Sequence, residues 1–160
     1  MRTRILTVLL IAAGVTLAQA PALYRPQPVA NLKQVMRSIP LPNSNLIFDV
    51  QTKAPADDMA WNDVANAAMA IAETANLITL AGRLRENGQP VPVQNADWNK
   101  FARGLVAAGQ ACYKAALMKS QQAVSGCAEQ LSDACSNCHD IYRDRPQPAP
   151  AKPAKPGGKK

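Results

Sequence analysis

The segment from residue 61 to residue 82 carries apolar and small residues at alternating spacings of three and four. An α-helix turns once in about 3.6 residues, so residues at this spacing share one face of a helix. The stripe consists of Trp61, Val64, Ala68, Ile71, Ala75, Ile78 and Gly82. Aromatic residues make up 4% of the chain, and neither an alternating strand pattern nor a repeat of solenoid length is found. The sequence therefore predicts an all-α domain.

Three further helices complete this prediction. A short first helix is expected from Val29 to Ser38, ended by Pro40 and Pro42, because proline lacks the backbone N–H that a helix requires. A loop is expected over residues 41–55, and Asp57 or Asp58 is expected to cap the second helix.

Helices three and four are expected to begin at Asp97 and Ser120 as N-caps. Their stripes are Trp98, Phe101, Leu105, Ala108, Cys112 and Ala115, and then Val124, Cys127, Leu131, Ala134, Cys138 and Ile141. Short connections favour antiparallel neighbours, so the expected architecture is an antiparallel up-down-up-down four-helix bundle.

Both ends of the chain differ in composition from this body. Residues 1–22 combine Arg2 and Arg4 with a short apolar run and small residues, which predicts a secretory signal peptide cleaved after Ala20 or Ala22. Residues 146–160 are rich in proline, lysine and glycine and have no apolar periodicity, which predicts a disordered tail. The expected folded domain is 23–145, with no transmembrane segment after signal cleavage.

The net charge of +7 belongs mostly to the two ends. Arg2 and Arg4 leave with the signal peptide and four lysines lie in the tail, so 12 basic residues remain in the body against 11 acidic ones. A nearly neutral body lacks the clustered basic face that nucleic-acid binding requires. No nucleic acid is expected as a partner.

The stretch "CSNCH" places Cys135, Cys138 and His139 at positions i, i+3 and i+4 of the last helix. Side chains at this spacing share one face. Cys-x-x-Cys-His is the attachment pattern of c-type haem, in which two thioethers hold the porphyrin and the histidine is the proximal iron ligand. The pattern predicts one covalently attached haem c per chain, with His139 bound to the iron. Export agrees, since haem c is assembled outside the cytoplasm.

Two other chemistries use paired cysteines. A redox-active dithiol is expected near a βαβ pattern, which this chain lacks. Structural zinc needs four ligands, and the spare thiols of Cys112 and Cys127 lie two or more turns from the cluster. An exported non-haem helical protein that binds zinc or forms disulfides is therefore the least favoured interpretation.

The ending "CSNCHDIYR" resembles that of class II c-type cytochromes, the cytochrome c′ and cytochrome c556 group, in which haem lies near the C-terminal end of the last helix. The resemblance covers about Val29 to Arg145 and is strongest over the last 25 residues or so. It implies a periplasmic protein that transfers single electrons to redox partner proteins and forms homodimers in related cases. The sequence has no paired carboxylates in a recognisable motif, no Ser/His/Asp arrangement and no phosphate loop, so no enzyme is expected. It further implies that the Tyr142 ring packs near the haem and that Arg143 lies close to a propionate.

The sixth coordination position of the iron decides between two functions. His139 is the only histidine, so methionine is the remaining conventional ligand. In an up-down-up-down bundle, Met36 on the first helix is level with the end of the last helix. "LKQVMRS" also resembles the first-helix motif of the six-coordinate members, which implies Met36 as the axial ligand. The alternative is a five-coordinate cytochrome c′-like protein that binds nitric oxide or carbon monoxide.

Three further points stay open in the sequence. Leu46, Ile47 and Phe48 follow the first helix and either shield a Met–iron bond or close an apolar gas pocket. Lys33 and Arg37 flank Met36 and face either propionates or solvent. Cys112 and Cys127 lie at matching heights on neighbouring helices, where a disulfide and two buried thiols are equally consistent with the sequence.

Overall fold

The computed structural model describes residues 23–144, and this part of the chain is helical with no strand. Its five helices are α1 (Leu32–Ser38), α2 (Pro40–Asp49), α3 (Asp58–Ile78), α4 (Ala96–Leu117) and α5 (Gln121–Tyr142). The all-α prediction is confirmed, while the antiparallel up-down-up-down course stays a prediction. The predicted signal peptide and tail lie outside the described residues. Among the helices within 23–144, none has the length and apolarity that a membrane span needs.

The predicted stripes of α3 and α4 form the centre of the core. Helix α3 packs on α2 and α4, and α4 packs on α5. The α3 stripe is buried from Trp61 to Ile78, and the α4 stripe is buried except at the half-exposed Phe101. Burial of these faces rather than local helix propensity supplies most of the stability of such helices.

Helices α3 and α4 approach so closely that only glycine fits at one position of their contact. A Cβ atom built on Gly109 would lie 2.7 Å from the backbone nitrogen of Ala72 and 2.8 Å from the carbonyl oxygen of Ala68. These are backbone atoms, so no side-chain rotation can relieve the overlap. The small-residue composition of this chain therefore sets the spacing of its two central helices.

A disulfide joins α4 to α5. Cys112 and Cys127 are bonded with their Cα atoms 5.2 Å apart, inside the range that disulfides tolerate. The sequence left this pairing open because helix axes often hold facing Cα atoms too far apart. Here the short connection 118–120 keeps the two helices close, with Ser120 capping α5 as predicted.

The predicted loop over residues 41–55 is wrong in its first half, because Pro40–Asp49 form helix α2. Pro40 occupies the first turn of α2, where its missing N–H costs nothing, so it starts a helix as well as ending α1. A single residue, Ile39, separates the two helices. Ile47 is fully buried, and this tertiary burial outweighs the turn preference of the Asn-Ser-Asn stretch.

Other predicted boundaries shift by one turn or less. Helix α1 begins at Leu32 rather than Val29, with Asn31 as its N-cap. Asp57 caps α3 as predicted, but the N-cap of α4 is Asn95 rather than Asp97. Gly82 is not part of the α3 stripe, since α3 ends at Ile78 and Gly82 adopts a φ of +83° in the following turn.

Candidate functional site

The last two turns of α5 place Cys135, Cys138 and His139 on one face of the helix. Both cysteines are half-buried, are not bonded to each other, and line the same cavity as His139. The backbone N–H of Arg143 donates to the His139 carbonyl over 3.2 Å and ends the helix. The disulfide partners Cys112 and Cys127 are buried in the core, and Cys127 lies more than two turns before Cys135 on α5. The structure therefore keeps the two thiols of the Cys-x-x-Cys-His stretch available for chemistry.

The cavity has a volume of about 680 Å³, within the range of typical cofactor sites. Residues from all five helices line it, together with Glu86 from the segment between α3 and α4. The apolar ones include Leu32, Met36, Leu41, Phe48, Phe101 and Leu105. A large apolar cavity with a few convergent polar groups is the default candidate for a binding site.

Met36 lines this cavity from α1 and is the one methionine among its lining residues. The other methionines of the described residues lie elsewhere: Met59 is 74% and Met118 67% exposed, and Met69 lies on the outer side of α3 at 36% exposure. The sequence prediction that Met36 lies near the end of the last helix is therefore supported by its position.

Of the three residues expected over this face, only Phe48 lines the cavity. Ile47 is buried in the core, and Leu46 is exposed. The exposed Leu41 and the buried Ser44 line the cavity together with Phe48, because residues four and seven apart share a face once this segment is helical. The error follows from treating α2 as a loop.

Three basic side chains also line the cavity. Lys33 and Arg37 come from α1, and Arg143 follows α5. Lys33 forms an ion pair with Glu86, while all three residues remain largely exposed. These positions would suit the carboxylates of a ligand at the edge of the cavity.

Tyr142 closes one side of the cavity by aromatic packing. Its ring meets the Trp98 ring edge-on with centroids 5.0 Å apart, and the Phe101 ring at 6.1 Å. The Trp98 indole N–H donates to the Ile78 carbonyl over 3.2 Å and so fixes the centre of this cluster. Tyr142 is thus a wall of the cavity as well as part of the core.

Burial raises the pKa of both thiols. The pKa of Cys135 is raised by desolvation, and that of Cys138 is raised to about 11 by desolvation and by the neighbouring Cys135. Reactive cysteines of redox-active Cys-x-x-Cys motifs have lowered pKa values, because the thiolate is the nucleophile. At neutral pH these thiols are protonated, which disfavours a redox-active dithiol.

The surroundings of the exposed His139 side chain lower the pKa of its imidazole. Partial desolvation is the first cause, and the positive charge of Arg143 is the second; the Asp140 carboxylate opposes the shift. A neutral ring is the form that binds metals. The direction of the shift therefore favours the form of His139 that can bind a metal.

The connection between α3 and α4, residues 79–95, forms hydrogen bonds both to the segment before α1 and to the end of α5. No sequence pattern indicated this role. The Arg85 guanidinium donates to the Tyr142 carbonyl over 3.1 Å and pairs with Asp144. The buried Arg83 donates to the carbonyl of Ala30, just before α1. The residues in each of these pairs are more than 50 positions apart, so no local sequence pattern indicates that they contact each other.

Within residues 23–144, no group of three or more His, Cys, Asp or Glu side chains converges as a metal site. Comparison with protein-family models, with curated proteins and with solved structures finds no match for this chain. The functional assignment therefore depends on the site itself.

Proposed function

We propose that this protein is an exported, periplasmic c-type cytochrome that transfers single electrons through one covalently attached haem c. Cys135 and Cys138 provide the thioethers, His139 the proximal iron ligand and Met36 the distal one. Its partners are redox proteins, and it performs no enzymatic reaction. An antiparallel up-down-up-down bundle suits this assignment, because it places the first helix beside the end of the last.

The observation that carries the proposal is the shared cavity. Met36 on α1 and Cys135, Cys138 and His139 on α5 line one space of about 680 Å³, although about 100 residues separate them in the sequence. If the Cys-x-x-Cys-His pattern had arisen by chance, there would be no reason for a cavity to lie beside it. There would also be no reason for a methionine to line that cavity. Methionine is the distal ligand that suits electron transfer.

The chemistry of the donor set fits covalent haem. Attachment consumes two protonated thiols that are not bonded to each other, and the raised pKa values of Cys135 and Cys138 describe such thiols. The ligand nitrogen would come from His139, whose lowered pKa favours the neutral imidazole. Because the cysteines hold the porphyrin rather than the iron, the lack of a three-residue metal cluster in the described part of the chain does not conflict with haem binding.

Bound haem supplies an iron that changes its charge by one, and the chain's residues determine how that change proceeds. The apolar walls, including Leu105, Phe101 and Phe48, would reduce the contact of bound haem with water and so limit solvent reorganisation. Arg143 and Arg37 provide positive charge at the edge for the propionates. Tyr142, held by Trp98, keeps the wall beside His139 in place.

The alternative is a five-coordinate, cytochrome c′-like protein that binds nitric oxide or carbon monoxide. It is favoured by one observation, the presence of the apolar residues Leu41 and Phe48 of α2 in the lining of the cavity. Apolar side chains at that position would exclude water from an open iron site and leave room for a small neutral gas.

A zinc site is less well supported than either haem function. The disulfide occupies Cys112 and Cys127, so they cannot serve as thiolate ligands. Only Cys135, Cys138 and His139 remain, and structural zinc requires four ligands.

The test is a visible spectrum of the full chain produced with its signal sequence alongside haem-attachment machinery. The expected ferrous protein is low-spin and unchanged by carbon monoxide, because Met36 occupies the sixth position. Met36→Ala should become high-spin and bind the gas, while Met59→Ala, which removes a methionine outside the cavity, should behave as the wild type. A wild-type protein that binds carbon monoxide readily would favour the five-coordinate alternative.

A further inference from the structure

The α3–α4 connection contacts the two helices that carry the proposed iron ligands. On the α1 side, the backbone N–H of Leu32 donates to the Leu84 carbonyl over 2.8 Å. The Arg83 side chain, 3% exposed, donates to the Ala30 carbonyl just before α1. These bonds hold the N-terminal end of the helix that carries Met36.

On the α5 side, the connection holds the segment immediately after His139. Arg85 donates to the Tyr142 carbonyl over 3.1 Å and pairs with the Asp144 carboxylate. The Asn87 amide donates to the same carboxylate oxygen over 2.9 Å. The C-terminal end of α5 is therefore held by three polar contacts from one loop.

The connection itself is built as a tight, hydrogen-bonded turn. The Arg85 N–H donates to the Gln89 carbonyl over 2.7 Å, and the Val91 N–H donates to the Arg83 carbonyl over 2.8 Å. Gly88 adopts a φ of +80°, which a side chain would strain. Arg83 and Arg85 are therefore close together on a short, internally hydrogen-bonded segment. Because Arg83 holds the start of α1 and Arg85 holds the C-terminal end of α5, the segment fixes these two helix ends relative to each other.

The position of α1 depends on such contacts. A helix of seven residues is too short to be stable by itself, so its tertiary partners determine where it lies. The Arg85 and Asp144 side chains are 22% and 19% exposed, and their ion pair is shielded from solvent compared with the surface pair of Lys119 and Asp58, which is 50% and 83% exposed. Shielded charge pairs constrain geometry more strongly than exposed ones.

We propose that Arg85 is a positioning residue for the iron: through the α3–α4 connection it sets the distance between Met36 on α1 and His139 on α5. This inference rests on the proposed function. Arg85 does not line the cavity, so it acts on the ligand bond through the backbone of the connection rather than through contact with haem. Without Arg85, the two helix ends separate and Met36 leaves the iron more often.

The experiment measures carbon monoxide affinity of the ferrous, full-length holoprotein. The gas binds only molecules in which Met36 has left the iron, so its apparent affinity rises in proportion to that fraction. Arg85→Ala should raise the affinity at least about tenfold over the wild type, equivalent to about 1.4 kcal/mol. Arg85→Lys, which retains the charge but not the forked geometry, should give an intermediate value.

Two controls separate positioning from general loss of stability. Lys119→Ala removes an ion pair that joins neither ligand helix and should change the gas affinity less than about twofold. Asp57→Ala removes the N-cap of α3, which accepts from the Ala60 N–H over 2.8 Å, and should lower the unfolding midpoint without raising gas affinity. If Arg85→Ala does not fold, Asp144→Ala removes the same ion pair from a residue at the edge of the cavity. It leaves the bond from Arg85 to the Tyr142 carbonyl, so the affinity should rise in the same direction but by less.

The outcomes distinguish the two proposals. A colourless wild-type protein, or one whose iron is already open to carbon monoxide, overturns the positioning role together with Met36 ligation. A low-spin, closed wild-type protein whose Arg85→Ala and Asp144→Ala variants keep wild-type gas affinity overturns the positioning role alone. A rise that Asp57→Ala reproduces also overturns it, because the effect would then come from lower stability.

Discussion

Replacement of Gly109 by alanine tests whether the spacing of α3 and α4 is set by the absence of a side chain. The new Cβ would lie 2.7–2.9 Å from the backbone nitrogen and Cβ of Ala72 and from the carbonyl oxygen of Ala68. Two of these three atoms belong to the backbone of α3, so the helices must move apart. Gly104 lies on the same helix, and a Cβ added there would have nothing within 4 Å, which makes Gly104→Ala the matched control.

Both substitutions gain helix propensity, but only Gly109→Ala creates a steric overlap with α3. Alanine is better than glycine in a helix interior by about 1 kcal/mol, so Gly104→Ala should stabilise the protein by about that amount. Overpacking of a close contact costs about 1–3 kcal/mol. Gly109→Ala should therefore be less stable than Gly104→Ala by about 1–3 kcal/mol and no more stable than the wild type.

Equilibrium unfolding in denaturant measures this difference. The midpoint should rise for Gly104→Ala and stay level or fall for Gly109→Ala, with the same dependence of free energy on denaturant for both. Equal stabilisation by both alanines would refute the close approach of α3 and α4 at Gly109.

Three further predictions concern the cavity and the disulfide. Met36→Ala should shift the ferrous spectrum from low-spin to high-spin and admit carbon monoxide, measured by absorption spectroscopy; an unchanged spectrum would exclude Met36 as ligand. Joint replacement of Cys112 and Cys127 by alanine should lower the free energy of unfolding by about 3 kcal/mol, because the disulfide links residues 15 apart in the sequence. An unchanged denaturant midpoint would argue against the bond. Tyr142→Leu should cost about 1 kcal/mol through the lost edge-on contact with Trp98, whereas Tyr142→Phe retains the ring and should unfold at a midpoint near that of the wild type.

The elements predicted correctly from the sequence are those whose apolar spacing spans several turns. The stripe that begins at Trp61 is buried as expected, and Ser120 caps α5 as expected. Helix α2 was missed because its signal is tertiary: Pro40 is compatible with both a break and a first turn, and only the burial of Ile47 against the core favours the helix.

The sequence predicted those site residues that are adjacent in the chain, but not the contacts between residues far apart in it. His139 and its two cysteines are adjacent in sequence, so their common face follows from helix geometry. Met36 was placed by topology and by resemblance. The contact of Arg85 with Asp144 joins residues 59 apart, and no pattern in the chain pairs one arginine with one aspartate over that separation.

The most direct test of the haem assignment is the intact mass of the mature protein after export in cells that attach haem. We expect a red protein with the mass of the polypeptide plus one haem, retained under denaturing conditions. The variant with Cys135 and Cys138 both replaced by alanine should have the mass of the polypeptide alone. A colourless wild-type protein with the mass of the bare polypeptide would contradict the account.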